Sequence, residues 1–254
     1  MSNAPFGIIE QPGRSRLLLL CDHASWAVPA SLHHLGLDVR ILSSHHGWDI
    51  GALDVASQLS GRLAAPLIYT RCSRLVIDCN RPLGHRDLIR SSMNGDIIPG
   101  NQHLSDEERR NRIRSYFDPY HQAVTAHLQG QLEVSPGVLT AAIHSFTPAL
   151  GGMLRPWHIG ITYHQRTPFI DCLFDYMGTS SDLVVGDNLP YPVTNEGDFT
   201  LPHHCSSSQT PSVLVEMRQD LLSSAASRRR ISRLIGDALY YALNRADLQG
   251  WWKS

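Results

Sequence analysis

Leu17-Leu18-Leu19-Leu20-Cys21-Asp22-His23 is the stretch on which the fold turns. A continuous apolar run of this kind reads as a strand buried on both faces, the type found inside a parallel sheet. It stops abruptly at an acid and an imidazole, so the strand delivers two polar groups to its carboxyl end.

The segments on either side extend the pattern. From Asp49 to Leu63, apolar residues fall at Ile50, Leu53, Ala56, Leu59 and Leu63. That is helical spacing, with Asp49 in the position of an N-cap. Leu67–Tyr69 and Leu75–Ile77 read as strands. Ser105-Asp106-Glu107-Glu108 is a capping-box pattern, and the helix it opens carries Ile113, Tyr116, Tyr120, Val124 and Leu128 on one face. Pro119 predicts a kink or break in it. Val138–Ile143 is a strand ending at His144, followed by a strand over Ile159–Tyr163, a helix over Phe169–Met177 and a short strand over Leu183–Val185. A strand over Val213–Val215 ending at Glu216 comes next, and a long helix from Leu221 to Leu243 closes the chain. Strands alternating with helices predict an α/β fold around a largely parallel sheet. No repeat or low-complexity linker divides the sequence, so residues 1–254 are expected to form one domain.

Composition narrows the functional classes. The chain has 254 residues, 42% hydrophobic and 18% charged, with a formal net charge of -1. No global field recruits nucleic acid or an anionic membrane, and Arg228-Arg229-Arg230 lies in a helical pattern as a solvated face. Five cysteines without a CxxC pair argue against a disulfide framework or a thiolate zinc site. Met1–Glu10 lacks the features of a signal peptide, and Leu17–Cys21 is far too short to span a bilayer. A cytoplasmic protein acting on a small molecule is the expectation.

In α/β folds, ligand sites gather at the carboxyl ends of strands, so polar residues there form a shortlist. It comprises Asp22 and His23, Arg74, Asn80 and Arg81, His144, Glu216, and Asp49 just after His45-His46. Two histidines and a carboxylate are a recurring open zinc site. A separate glutamate can move the proton of a water there, and an arginine can hold a developing oxyanion. Arg74 and the Asn80-Arg81 pair suit an anionic substrate with a reacting carbonyl. No HExxH fixes the ligands, and GxGxxG, a P-loop and GxSxG are absent.

These residues carry a resemblance. Cys21-Asp22-His23-Ala24-Ser25, Trp48-Asp49-Ile50-Gly51-Ala52, Ser73-Arg74 through Asn80-Arg81-Pro82, and Ile98-Pro99-Gly100-Asn101 resemble stretches of the N-formylglutamate amidohydrolase family. So do His144-Ser145-Phe146-Thr147-Pro148, Arg155-Pro156-Trp157-His158, Gly186-Asp187-Asn188-Leu189-Pro190-Tyr191 and Glu216-Met217-Arg218-Gln219-Asp220. The resemblance spans nearly the whole chain. It implies a three-layer α/β/α fold with a mixed, largely parallel central sheet, zinc-carboxypeptidase-like and similar to aspartoacylase. It further implies one zinc ion on His23, Asp49 and His144, with Glu216 as general acid/base and Arg74 as oxyanion stabiliser. Asn80 and Arg81 would hold the substrate carboxylate. Asp22, His45 or His46 are alternative ligands, and Asp22 and His45 are alternatively partners that orient a ligand. The implied reaction is hydrolysis of N-formyl-L-glutamate to formate and L-glutamate. A deacylase or carboxypeptidase-like enzyme for another acyl or peptide substrate, and a non-catalytic binder of an acidic ligand, are the rivals.

Overall fold

A computed structural model describes residues 4–250 other than 14, 94, 180 and 181, with the side chains of 246–249 also outside the description. Seven strands form one sheet. They are β1 (Phe6–Ile9), β2 (Leu17–Cys21), β3 (Leu67–Thr70), β4 (Leu139–Phe146), β5 (Ile159–Thr162), β6 (Val185–Asp187) and β7 (Ser212–Arg218). Their spatial order is β1-β3-β2-β4-β7-β5-β6. The central strands β3, β2, β4 and β7 are mutually parallel. β1 on β3 and β5 on β7 are the antiparallel pairs, which make the sheet mixed.

The leucine run shows why the sheet needs cover on both faces. Side chains alternate along a strand. Leu17, Leu19 and Cys21 join a core with α1 (Ala52–Leu63), α4 (Pro168–Met177) and α6 (Ala225–Gln249). Leu18 and Leu20 join a second core on the opposite face, with Phe117, Tyr120, Val124 and Leu128. Phe117 comes from the turn between α2 (Asp106–Arg112) and α3 (Asp118–Leu132) and the other three from α3, and Leu201 of α5 (Thr200–His204) packs there too. The layers are α/β/α, as expected.

Several local expectations change. Leu75–Ile77 is not a strand: Ser73–Pro82 folds as successive turns, closed by bonds from Val76 N–H to Ser73 O and from Arg81 N–H to Asp78 O. Asp78 also accepts from Asn80 N–H at 3.0 Å, an Asx turn that an apolar-run reading does not register. His144 and Glu216 do not terminate their strands, which run on to Phe146 and Arg218. β6 lies two residues further along than the predicted Leu183–Val185. The last helix begins at Ala225, after a separate 3-10 turn over Gln219–Leu222. Pro119 does not break its helix. A π-helical turn over Ile113–Phe117 absorbs the missing N–H, and the chain continues into α3. The capping box forms as expected, with Glu108 N–H donating to Ser105 Oγ and Ser105 N–H to Glu108 Oε2. β1 was not predicted, because a four-residue segment without alternation is defined only by its pairing with β3.

The turns carrying Arg74–Arg81 are anchored by a buried arginine. Arg112 donates to Val76 O at 3.0 Å, Asn101 Oδ1 at 2.6 Å and Gly100 O at 2.9 Å. Arg112→Met fills similar volume but orphans these acceptors. It is expected to lower stability by about 2–4 kcal/mol in chemical denaturation. A change below about 0.5 kcal/mol would mean that water replaces the guanidinium.

Candidate active site

β2, β4 and β7 bring their carboxyl ends to one edge of the sheet. The parallel register pairs Glu216 with His144, and Leu20 with Ala142 two residues before it. The even-numbered residues Ala142 and Leu214 belong to the α3-side core, so His144 and Glu216 open towards that face. Asp49 arrives from a loop stitched to the strand end, because its N–H donates to His23 O at 2.9 Å. The turn into α1 passes through Gly51 at φ +80°, where a Cβ would lie 2.8 Å from Leu222 Cβ. Gly51, not Asp49, is the N-cap. The Asp49 carboxylate turns away from the helix into the site.

His23, Asp49 and His144 lie together and buried, each offering one atom within 4.8 Å of the others. Their remaining polar atoms are occupied. His23 Nε2 meets Asp78 Oδ1 at 2.7 Å, and His144 Nε2 meets Asp22 Oδ2 at 3.1 Å. Both histidines therefore present Nδ1 to the centre: His144 Nδ1 is 2.8 Å and His23 Nδ1 3.4 Å from Asp49 Oδ2. Asp22 is fixed in turn by Tyr120 Oη at 2.7 Å and Thr200 Oγ1 at 2.9 Å. Of the alternative ligands, Asp22 stands behind His144, while His45 and His46 line the cavity outside this group.

Arg74 binds the site's acids: Nη1 is 3.2 Å from Asp49 Oδ1 and Nη2 3.2 Å from Asp78 Oδ2. Arg81 approaches Asp78 Oδ2 at 3.8 Å and donates to Gly197 O. Asn80 accepts the N–H groups of Phe199 and Thr200 and donates from Nδ2 to Asp198 at 2.9 Å, so it holds the 197–200 wall. Glu216 is buried, and its Oε2 has no hydrogen-bond partner among the described residues. It is not the surface partner of Arg218, which binds Asp220 instead. All the shortlisted residues except Asp22 line one cavity of about 850 Å³.

Electrostatics follow from burial and crowding. Burial pushes Glu216 up to about 7, with Asp49 adding to the effect while His144, Arg74 and His23 oppose it. Burial disfavours protonated His144, but its bonds to Asp22 and Asp49 outweigh this and raise its pKa well above the imidazole range. Burial likewise opposes ionisation of Asp49, yet His23, His144 and Arg74 hold it well below the usual carboxylate range.

The residues present fit a divalent cation. His23 Nδ1 is buried without a hydrogen-bond partner among the described residues, and Asp22, Asp49, Asp78 and Glu216 are four buried carboxylates beside two arginines. Two imidazoles and one carboxylate, each imidazole backed by an acid, match the donor set of an open zinc site. Asp78 joins the candidate site although the sequence shortlist omits it. Its signal was its spacing, four residues after Arg74 and three before Arg81, where a turn lets one acid serve both.

A family model described as N-formylglutamate amidohydrolase matches residues 15–223. The chain belongs to the N-formylglutamate amidohydrolase family. The gene product Atu2144 of Agrobacterium tumefaciens is 31% identical, with 96% of this chain and 97% of that one covered at a TM-score of 0.91. N-formylglutamate amidohydrolase from Ralstonia eutropha JMP134 shares the fold at 18% identity, with 95% and 98% covered and a TM-score of 0.77. No curated protein sequence matches significantly. Among the described residues, no helix is long and apolar enough to cross a membrane.

Proposed function

We propose that this chain is a zinc-dependent amidohydrolase that cleaves the linear C–N bond of a small acidic N-acyl amino acid, N-formyl-L-glutamate above all. The observation that carries the reading is the His23–Asp49–His144 group, with Asp78 and Asp22 behind its imidazoles and Glu216 beside it. Zinc held by His23 Nδ1, Asp49 and His144 Nδ1 would polarise the acyl oxygen and acidify a water.

The chain's own groups supply the rest. Glu216 takes a proton from the water that attacks the formyl carbon, then gives it to the departing amine nitrogen as the C–N bond breaks. Formate and the free amino acid are the products. Arg74 stabilises the negative charge that develops on the acyl oxygen. Its double anchorage on Asp49 and Asp78 holds the guanidinium in place before substrate arrives. Arg81 pairs with the substrate's α-carboxylate. Asn80 assists it through the second Nδ2 hydrogen, the first being committed to Asp198. The sheet from Phe6 to Arg218, with α6 packed on it, supports one catalytic domain over 1–254. Free thiols at all five cysteines support a reducing, cytoplasmic setting.

The test is turnover of N-formyl-L-glutamate before and after chelation. Loss of activity by about 100-fold or more, restored by Zn²⁺, is the expected result. Full turnover by metal-free protein would sink the role of the metal. Zinc-loaded protein that hydrolyses N-acetyl amino acids but no N-formyl ones would replace the proposed substrate.

A further inference from the structure

Four arginines line the cavity: Arg74, Arg81, Arg90 and Arg155. Three of them have an acid to face. Arg74 has Asp49 and Asp78 at 3.2 Å, Arg81 has Asp78 at 3.8 Å, and Arg90 has Asp87 at 3.5 Å. Arg155 has no acid within 4.0 Å among the described residues, yet it is the one of the four that is buried, at 7% exposure.

Its surroundings are polar but uncharged. Nη1 lies 3.3 Å from Thr147 O and 3.4 Å from Thr147 Oγ1, and Nη2 donates to Tyr191 Oη. The guanidinium carbon sits 4.9 Å from the Tyr191 ring centre and 5.6 Å from that of Phe146. Ring faces favour a cation, but they do not neutralise one, and a buried charge without a counter-charge is costly. A guanidinium offers five N–H donors, more than these acceptors use.

The fork is also held rigidly. Arg155 follows the hairpin Ala149–Leu150/Met153–Leu154, and its N–H donates to Pro148 O at 2.9 Å. Its carbonyl accepts from Arg218 Nη1 at 3.0 Å, and Arg218 is itself clamped by Asp220 at 2.8 and 3.1 Å. Arg155 thus stands on the wall made by the hairpin and Tyr191, whereas Arg81 stands on the wall made by Gly197 and Asp198.

We infer that Arg155 is the specificity residue that receives the substrate's second carboxylate, the one at the end of its side chain. This rests on the amidohydrolase reading above. An acidic N-acyl amino acid carries two carboxylates. Arg74 is committed to the metal-side acids and Arg81 to the α-carboxylate, while Arg90 is half-exposed on its own acid. Arg155 is the cation left without a counter-charge, and its planar fork matches a carboxylate held by two hydrogen bonds.

The test compares N-formyl-L-glutamate with N-formyl-L-glutamine, which differs in that one charge. The native enzyme is expected to favour the glutamate by about 100-fold in kcat/KM, and Arg155→Gln to cut that ratio to about threefold or less. Arg155→Lys, which keeps the charge without the fork, is expected to fall between them at about tenfold. If the glutamine variant does not fold, a native ratio in the lysine variant overturns the assignment. So does an equal loss on both substrates in Arg155→Gln.

A binding arm separates this inference from the reading beneath it. Zinc-loaded protein is titrated calorimetrically with L-glutamate and with L-glutamine. A preference for glutamate of about tenfold or more that disappears in Arg155→Gln supports the site even where no turnover occurs, in which case the activity reading falls alone. A preference that persists in Arg155→Gln, or its absence from the native protein, overturns the assignment.

Discussion

Glu216→Gln is expected, on the proposed mechanism, to lower kcat on N-formyl-L-glutamate by about 10²- to 10⁴-fold while zinc loading stays unchanged. The argument is geometric. Glu216 sits mid-strand on β7, in register with His144 on β4, so two hydrogen-bonded backbones fix the separation of the carboxylate from the His23–Asp49–His144 group. Its Oε2 is buried with no hydrogen-bond partner among the described residues. A buried acceptor in that condition costs the fold stability, and a role in proton transfer gives a reason to keep it. Glutamine preserves the shape and one acceptor oxygen but cannot take a proton from water or hand one to the leaving nitrogen. Both halves of the reaction therefore suffer, which is why kcat falls rather than KM alone. Zinc content, read by elemental analysis, separates this from loss of the metal. A variant within about tenfold of the native kcat would remove Glu216 from proton transfer.

His144→Ala is expected to abolish zinc retention through gel filtration, and activity with it. The residue behind His144 gives a graded companion. Asp22→Asn keeps the hydrogen bond to His144 Nε2 but removes the charge, and it should weaken zinc binding by about 10- to 100-fold. The order of effects carries the information. In the proposed site a ligand contributes a coordinate bond, whereas Asp22 would act by fixing the tautomer and raising the basicity of Nδ1. Asp22 is itself held by Tyr120 and Thr200, so its orientation is set by α3 and by the wall at residue 200. Competition titration with a chromophoric chelator measures all three proteins on one scale. His144→Ala that holds zinc as tightly as the parent would overturn the ligand set. Asp22→Asn with native affinity would reduce Asp22 to a packing role.

Much of this site was legible because polar residues interrupt apolar runs at the ends of strands. Leu17–Cys21 announces a doubly covered strand, and Asp22-His23 can then lie only at its exit. The same reading located His144 and Glu216, although both lie inside their strands, because period-2 alternation shows which residue leaves the core but not where pairing stops. Asp49 was ambiguous for a different reason. An acid before a helix suits an N-cap as well as it suits a ligand, and only the turn at Gly51 shows which way the carboxylate faces.

Leu75–Ile77 reads as a strand but folds as a buried turn, because three apolar residues satisfy both equally. What separates the two is where their backbone groups bond, and here Arg112 and Asn101 claim the carbonyls of Val76 and Leu75. Those partners lie more than twenty residues away, beyond the reach of any local pattern.

The sequence by itself determined the α/β alternation, the sheet edge at which the candidate site gathers, and the family. Each of these follows from short-range periodicity or from residue identity in order. The tertiary structure decided the partners: Asp78 on His23, Asp22 on His144, Asn80 on the 197–200 wall, and Arg155 with no acid to face among the described residues. Hydrogen bonds and charges act over a few ångströms in space, and chain folding alone sets which residues come within that distance.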